Sequence, residues 1–278
     1  MRKIFLSLLA CCSLFTSISA QSLTKLWETD TLLRTPESVL LDAATGTLYV
    51  SNIGTKTDTK DGDGFISVMT TDGKIKNLEW AKGLDDPKGM GLFKNTLYVA
   101  DLSRVIVIDT KTGKITQSID IEGSQFLNDV TVDSKGNVYI SDSATGKIHL
   151  ITGNKASLYF ESPEFKRING LLATKEALYV ADAGNGAFYK VTWDKKLTKS
   201  GDTGPGADGI VPVGKNEHIV SCWGGEVYFV NASGASQKML DTKEQKINSA
   251  DIDYDAKTKT VFIPTFFANT VVAYRFAR

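Results

Sequence analysis

The pattern from which the fold of this chain can be predicted is clearest in residues 126–143, Phe-Leu-Asn-Asp-Val-Thr-Val-Asp-Ser-Lys-Gly-Asn-Val-Tyr-Ile-Ser-Asp-Ser. Val130 and Val132 alternate with polar neighbours, which is typical of a strand with one buried face. A polar turn with Gly136, which can adopt a positive φ angle, leads to a second and more apolar strand. The stretch is therefore predicted to be a β-hairpin, with the polar residue Asn128 just ahead of its first strand.

The same pattern occurs six times along the chain, at intervals of roughly 40 residues. In each copy one residue takes the place of Asn128, and we call these residues the axial column. The axial column consists of Glu37, Lys88, Asn128, Asn169, Asp208 and Ala250. The first interval is longer because residues 54–64 are inserted there. The period matches the ~40–50-residue blades of a β-propeller, each of which has four strands.

These repeats predict an all-β fold, a six-bladed β-propeller of four-stranded blades around a central channel. No segment has the ~3.6-residue period of an amphipathic helix. Residues 21–278 are predicted to form this single domain. Blade six is expected to end with a strand at residues 271–276, while residues 23–29 supply its outer strand and close the ring.

The N-terminus indicates export. Arg2 and Lys3 precede an apolar run over residues 4–15, and Ser19-Ala20-Gln21 resembles a cleavage point. Residues 1–20 are therefore predicted to be a secretory signal peptide, which is too short for a transmembrane span. The mature protein is expected to be exported, either periplasmic or secreted.

The cysteines leave a second outcome open. Leu8-Leu9-Ala10-Cys11 resembles a bacterial lipoprotein cleavage site, and cleavage there would leave a lipid anchor on Cys11. If cleavage instead follows Ala20, Cys222 is the only remaining cysteine. The mature protein would then have no internal disulfide.

Composition and short motifs argue against binding of nucleic acids and nucleotides. The chain carries 32 basic and 32 acidic residues, so its charge does not indicate a polyanionic partner. Three Gly-Lys pairs close predicted hairpins and precede Ile, instead of the Ser or Thr of a nucleotide-binding P-loop. They are Gly73-Lys74, Gly113-Lys114 and Gly146-Lys147. No Ser-His-Asp or Gly-x-Ser-x-Gly signature is present either.

The axial column is expected to face the channel near one mouth, because the first strand of each blade lines the channel. Its two carboxylates and two carboxamides carry hard oxygen ligands that suit Ca²⁺, which takes about 6–8 oxygens. Another divalent cation remains an alternative. The column contains no His or Cys, which argues against zinc. In the opposing interpretation, these polar residues only hydrogen-bond to each other around a wet channel.

Four of the column motifs resemble the gluconolactonase/regucalcin (senescence marker protein) family, which has paraoxonases and diisopropylfluorophosphatase as distant relatives. The motifs are Pro36-Glu37-Ser-Val, Asn128-Asp129-Val, Asn169-Gly-Leu and Ala207-Asp208-Gly-Ile. The resemblance covers essentially the whole mature chain. It implies that an acid, two asparagines and an aspartate from four blades hold a catalytic divalent ion, usually calcium. The implied ligands are Glu37, Asn128, Asn169 and Asp208.

The chain also departs from this family. The regucalcin branch has an arginine two residues before the Asn-Asp pair, where it contacts sugar-type substrates, but this chain has Phe126. The phosphotriesterase branch has a second Asp three residues after its channel Asp, where this chain has Val211. Paraoxonases use channel histidines, whereas His149 and His218 fall inside predicted strands. The metal site is therefore expected, but the family's substrates do not carry over.

Lys88 is the unusual member of the column. A cation beside a metal site lowers its affinity for divalent ions, unless the lysine bends away or pairs with Glu37 or Asp208. It could instead bind an anionic group of the substrate or stabilise an oxyanion. Pairing with a neighbouring carboxylate is the simpler interpretation.

Other polar residues are expected to be structural. Four of them recur at the ends of second strands, whatever the column residue, and a turn-capping role is favoured over catalysis. They are Asn52, Asp101, Asp142 and Asp182. The insertion carries Asp58, Asp61 and Asp63 but lacks the spaced ligands of an EF-hand. It is predicted to be a solvated loop or a lid over the channel mouth.

The leading hypothesis is an exported, calcium-dependent hydrolase of the lactonase type, with a small-molecule lactone or ester at the channel mouth. The ion would polarise the carbonyl group. Asp208 is the favoured base to activate water, Glu37 is the next candidate, and Asp129 on the channel wall is the third. The alternative is a non-enzymatic propeller that binds a glycan, a peptide or a partner protein. An organophosphate or ester hydrolase would keep the metal and change only the substrate.

Overall fold

Residues 20–278, which a computed structural model describes, form six antiparallel sheets of four strands each. In five of these sheets the four strands are consecutive and are hydrogen-bonded in chain order. The sheets surround a central channel as the blades of a propeller, which confirms the predicted all-β, six-bladed fold. In the described residues, the helical structure is limited to one 3₁₀ turn, Phe266–Ala268.

The strands of each blade run in order from the channel outward, and the first strand of the chain, β1 (Ser22–Glu28), belongs to blade six. Blade one contains β2 (Pro36–Asp42), β3 (Thr47–Asn52), β4 (Gly64–Thr70) and β5 (Ile75–Leu84). Blade two contains β6 (Pro87–Phe93), β7 (Thr96–Asp101), β8 (Arg104–Asp109) and β9 (Ile115–Asp120). Blade three contains β10 (Leu127–Val132), β11 (Val138–Asp142), β12 (Lys147–Thr152) and β13 (Lys155–Glu161).

The second half of the ring repeats this order. Blade four contains β14 (Ile168–Ala173), β15 (Ala177–Asp182), β16 (Ala187–Thr192) and β17 (Leu197–Asp202). Blade five contains β18 (Ala207–Gly214), β19 (Glu217–Cys222), β20 (Glu226–Val230) and β21 (Ser236–Asp241). Blade six contains β22 (Asp253–Asp255), β23 (Thr260–Pro264), β24 (Val271–Ala277) and then β1.

The N-terminal strand closes the ring. It pairs antiparallel with the last strand of the chain, from Ser22 opposite Ala277 to Glu28 opposite Val272. The outer edge of blade six is therefore built from the beginning of the described chain, as the sequence predicts. Closure of this kind ties blade one to blade six and leaves the ring without an open junction.

The apolar core lies between the blades. In residues 20–278, six apolar clusters each combine residues of two neighbouring blades. Between blades two and three, for example, Val105 and Ile119 pack with Val130 and Ile140. Because each blade is covered on both faces, most residues of its middle strands are buried. This explains the continuous apolar runs of the second strands, such as Val-Tyr-Ile in β11.

A β-bulge interrupts the inner strand of blades one to five at the axial column. In β10, Leu127 pairs with Asp142 and Val130 pairs with Ile140, so the inner strand carries one extra residue. Asn128 therefore lies inside the strand, whereas the sequence pattern predicts it just ahead. A bulge bends its strand and redirects a side chain. In this fold it lets consecutive residues serve the channel mouth and the contact between blades.

Glycine follows the column residue in blades two, four and five, where neighbouring inner strands come very close. A Cβ atom on Gly170 would overlap the backbone oxygen of Asp208, and one on Gly89 would overlap the carboxylate of Asp129. Only a residue without a side chain fits such a close approach. These glycines therefore allow neighbouring inner strands to approach closely enough for their column residues to line the same cavity.

The predictions for the extreme N-terminus lie outside the described residues. These are the signal peptide over residues 1–20, apart from Ala20 itself, and the lipid anchor on Cys11. In the part that is described, Cys222 is a buried free thiol. No helix in that part has the length and apolar character needed to cross a membrane.

We expect Gly170→Ala to lower the free energy of unfolding by about 3 kcal/mol, because its methyl group forces blades four and five apart. Gly224→Ala is the matched control. Its nearest neighbour is the flexible side chain of Lys243 at 3.7 Å, so its loss should stay within about 0.5 kcal/mol. Urea unfolding followed by circular dichroism measures both, and equal losses would contradict the close-approach role of Gly170.

Candidate functional site

Five axial column residues line one cavity at a mouth of the channel, with a volume of about 390 Å³. Each comes from the inner strand of a different blade. They are Glu37, Lys88, Asn128, Asn169 and Asp208. The sixth, Ala250, is buried against Ile53 and Phe266. The structure thus brings the polar residues that the repeats align into one site.

Three oxygen atoms of these side chains are buried and have no hydrogen-bond partner within residues 20–278. They are Glu37 Oε2, Asn169 Oδ1 and Asp208 Oδ1. A buried acceptor that lacks a partner costs roughly 1–3 kcal/mol, and more when it is charged. Unpaired acceptors from three blades at one cavity therefore call for bound water, a cation, or protons on the two carboxyl groups.

Asn128 is oriented by a short chain of hydrogen bonds. Its Nδ2 donates to Ser143 Oγ at 3.2 Å, and Ser143 Oγ donates to the carbonyl oxygen of Ile168 at 2.5 Å. Because the amide nitrogen is used in this way, the amide oxygen is directed to the other side. Ser143 directly follows β11, the second strand of blade three, and it positions a candidate ligand.

The donor set fits a hard cation. Within the described chain, no three His, Cys, Asp or Glu side chains gather closely enough to hold a metal by themselves. A cation here would therefore depend on the amide oxygens of Asn128 and Asn169 as well as on the carboxylates of Glu37 and Asp208. Such an all-oxygen set suits calcium, whereas zinc sites use His and Cys.

Burial changes the acidity of both cavity carboxyl groups. The pKa of Glu37 is raised to about 8, chiefly by burial, although Lys88 acts in the opposite direction. The pKa of Asp208 is raised well above its usual value by burial first, and then by the charges of Glu37 and Asp129. Without a cation, burial therefore favours the protonated form of both carboxyl groups.

Asp129 lies behind the cavity wall. Its carboxylate accepts hydrogen bonds from the backbone N–H groups of Val130 and Leu171, each at 2.6 Å, and so joins blades three and four. Asp251 has the same place in blade six, where it accepts a hydrogen bond from Ser38 Oγ of blade one at 2.5 Å. Sequence reasoning missed Asp251, although the alignment of the repeats places it level with Asp129.

Lys88 is neutralised by a residue that sequence reasoning also missed. Its Nζ donates to Asp86 Oδ2 at 2.9 Å, and both side chains are buried. Asp58 Oδ1 lies 3.8 Å from the same nitrogen. The lysine thus pairs with a carboxylate, but with Asp86 instead of Glu37 or Asp208. The sequence carries a signal for this pair: Asp86 and Lys88 are two residues apart, and side chains at that spacing point to the same side of an extended chain.

The blade-one insertion lies over the same mouth. Thr57 and Asp58 line the cavity. The backbone N–H of Asp58 donates to Asp86 Oδ2, and that of Gly62 donates to Asp85 Oδ1, each at 3.1 Å. Most residues of the loop are exposed, as expected of a solvated loop. These two backbone hydrogen bonds help to hold it against the beginning of blade two, at the edge of the cavity.

The cavity has two unlike walls, a cationic one and an aromatic one. On blades two to four, Lys88 Nζ and the guanidinium carbon of Arg167 lie 4.9 Å and 5.5 Å from the centroid of the Phe126 ring. On blades five and six, the Trp223 ring lies 5.5 Å from Phe266 and 5.9 Å from Phe267. Sequence reasoning missed Arg167 and this aromatic cluster, because neither belongs to the repeated column.

Neither histidine lines the cavity. His149 is buried in β12, and its Nε2 lies 3.8 Å from Asp142 Oδ2. His218 is buried in β19 between Tyr179 and Phe188, with ring centroids 4.5 Å and 5.0 Å apart. Burial lowers the pKa of His218 to about 4. Both are strand residues, as the sequence indicates.

The recurrent residues at the ends of second strands are structural. Asp142 accepts hydrogen bonds from the backbone N–H groups of Gln125 and Phe126, each at 3.0 Å, and from Ala144 in the following turn at 3.2 Å. Asp182 holds residues of blade four in the same way. These side chains fix the segments that enter each inner strand, and thereby the height of the axial column in the channel.

Comparison with known proteins gives the fold but not a family. No family model and no curated protein matches this chain. Among solved structures it is similar to a streptogramin B lyase, with a TM-score of 0.67 and 14% identity over 93% of this chain and 98% of that one. It is also similar to a catalytically inactive histidine-to-alanine variant of virginiamycin B lyase from Staphylococcus aureus, solved with quinupristin. That match has a TM-score of 0.63 and 14% identity, over 92% of this chain and 99% of that one.

A third similarity is to a chain of a nidogen/laminin complex. It has a TM-score of 0.61 and 16% identity, and it covers 77% of this chain and 82% of that one. The matched proteins are thus lyases in two cases and part of a protein complex in the third. At these identities the likeness establishes the propeller fold alone.

Proposed function

We propose that this protein is an exported, calcium-dependent hydrolase of the lactonase type, akin to the gluconolactonase/regucalcin family. The observation that carries the proposal is the set of buried oxygens without partners at the channel mouth, contributed by Glu37, Asn169 and Asp208. Protein interiors seldom leave such groups unsatisfied, and a cluster of them at one cavity calls for bound water, a bound ion or a catalytic role. Asn128 completes the proposed set of ligands.

A calcium ion bound there would polarise a lactone or ester carbonyl and stabilise the negative charge that develops on its oxygen. The protein supplies the base. Asp208 and Glu37 line the cavity, and each can accept a proton from an attacking water once it is ionised. Asp129, the third candidate, uses its oxygens on two backbone N–H groups outside the cavity. We therefore assign Asp129 to positioning, and we retain Asp208 as the first choice of base.

Lys88 fits a different role from direct catalysis. Its charge is matched by Asp86 at 2.9 Å, so it is poorly suited to stabilise an oxyanion. We assign it to holding Asp86, which in turn accepts the N–H of the insertion at Asp58. In this role the lysine connects the floor of the cavity to the loop over its mouth.

The chemistry of the structurally similar lyases is not proposed for this chain. One of those structures is of a catalytically inactive variant in which alanine replaces a histidine. This chain has two histidines, His149 and His218, and both lie in strands outside the cavity. A lyase reaction that depends on histidine would therefore lack its residue here.

A second candidate function is binding of a partner without turnover. The observation that favours it is the exposure of Trp223 (41%) and Phe267 (62%) at the rim, since exposed aromatic residues are common in recognition surfaces. The partner would be a glycan, a peptide or a protein. This alternative needs no metal and no base.

Calcium binding is the first test. We expect one site in the EDTA-treated protein, and Asp208→Asn should weaken it by at least about tenfold because it removes a charged ligand. Asp58→Asn is the control, since Asp58 lines the same cavity but its carboxylate is exposed and lies near Lys88. Isothermal titration calorimetry measures all three proteins. The proposed site would be contradicted if both substitutions lowered the calcium affinity equally, or if the native protein gave no heat of binding.

Stability in EDTA should fall as pH rises from about 7 to 9. Burial raises the folded-state pKa of Glu37 to about 8 and that of Asp129 to about 7. Their contribution to the free energy of unfolding is fully present below their ordinary pKa values of about 4. It is lost as pH rises through the folded-state values. The lowered pKa of His218 makes stability rise with pH, but only up to about pH 6.5, where the histidine of the unfolded chain becomes neutral. His218 therefore does not affect the change between pH 7 and 9. Calcium should raise the melting temperature more at pH 9 than at pH 6. A profile in EDTA that is flat or rises over this range would contradict the buried acids.

Turnover separates the enzyme from the binding protein. We expect slow hydrolysis of some members of a panel of lactones and aryl esters, abolished by EDTA and restored by calcium, because the carbonyl must be polarised. Glu37→Gln should also abolish it, whereas Asp202→Asn, an exposed acid in β17, should not. Stable binding of a panel member without turnover would favour the alternative function.

A further inference from the structure

We propose that Arg167 is the anion-binding residue of this cavity, and that the ligand is a small carboxylate-bearing molecule with an aryl or alkyl group opposite the carboxylate. The inference deepens the proposed function by naming a substrate class, and it rests on that function only in taking this cavity as the substrate pocket. It is argued from the two cations of the cavity, Arg167 and Lys88, from the Phe126 ring that both of them contact, and from the blades on which the lining residues lie.

Arg167 is the cation at the mouth whose charge is not matched. Within residues 20–278, its guanidinium group forms no ion pair and no hydrogen bond, although it lines the cavity. The group packs on the ring of Phe126, with 5.5 Å between the guanidinium carbon and the ring centroid. Stacking on an aromatic ring leaves the N–H groups of an arginine at its edge available for a planar anion.

Lys88 lies on the same ring but cannot serve in this way. Its Nζ lies 4.9 Å from the Phe126 centroid, yet it donates to Asp86 at 2.9 Å and has Asp58 at 3.8 Å. Two carboxylates near one ammonium group leave no net positive charge for a ligand. Of the two cations on this wall, only Arg167 is therefore suited to a carboxylate, which it can bind with two parallel hydrogen bonds.

The opposite wall fixes the other end of the ligand. Trp223 and Phe267 are exposed at the rim of blades five and six, and Phe266 lies buried behind them. Blade six, which carries Phe266 and Phe267, lies opposite the Phe126 blade in a six-membered ring, whereas Trp223 belongs to blade five, next to the blade of Arg167. A molecule that spans the mouth would meet a cation at one end and an apolar surface at the other.

The proposed ester or lactone group would then lie between these ends, above Glu37 and Asp208. A cavity of about 390 Å³ has the size of small-molecule sites, which are mostly about 300–1,000 Å³. Arg167 lies two residues before its column asparagine, the place that Phe126 holds in the preceding blade.

The test compares phenylpropanoate with phenylpropanol, two probes that differ in charge but share an aryl end. Calorimetry is done in EDTA at low ionic strength, because a carboxylate could otherwise bind to calcium. We expect the native protein to bind the carboxylate roughly tenfold more tightly than the alcohol. Arg167→Gln should remove this preference, and Trp223→Ala should weaken both probes by a similar factor.

Lys166→Gln is the matched control, since Lys166 is the neighbouring exposed cation and does not line the cavity. It should keep the preference for the carboxylate. The proposal is overturned if the native protein shows no preference or no binding in EDTA, or if Arg167→Gln keeps the preference. It is also overturned if the preference needs calcium, since the carboxylate then binds the ion. Because these titrations need neither metal nor turnover, their outcome is independent of the tests of hydrolysis.

Discussion

Two carboxyl groups are buried at one mouth of the channel, and their charge has to be compensated there. Glu37 and Asp208 are both more than nine-tenths buried, and one oxygen of each has no partner in the described chain. Two such groups cannot both carry a charge there without compensation. Either they hold protons, which their raised pKa values indicate, or a cation replaces those protons. In the proposed metal site a cation takes the place of these protons and compensates the charge of both carboxylates.

The propeller supplies this arrangement through repetition with small differences. A bulge of one residue recurs in the inner strands of five blades, so each blade presents one side chain at the same height. The next residue serves the contact between blades: it is a serine in blade one, a glycine in blades two, four and five, and an aspartate in blades three and six. Chemistry and packing are thus assigned to consecutive residues of one strand. A site in such a fold can change through substitutions at a few positions, because the strands that carry these positions keep their arrangement.

The sequence predicts what repetition makes visible. The period of the strands gives the number of blades, the outer strand and the axial column, since all of these recur in the sequence. Contacts that occur once are harder to predict. The pairing of Lys88 with Asp86 depends on how one turn bends, and Arg167 reaches the cavity because a ring in another blade supports it. The pattern places Asn128 ahead of its strand because a bulge breaks the alternation that marks a strand.

A diffraction experiment on crystals grown with manganese can distinguish a bound cation from water at the channel mouth, because manganese has a strong anomalous signal and takes the place of calcium at oxygen sites. We expect one anomalous peak in the channel mouth, within about 2.1–2.6 Å of oxygens from Glu37, Asn128, Asn169 and Asp208. A mouth that holds only water, or a peak on the aspartates of the insertion instead, would contradict the proposed metal site.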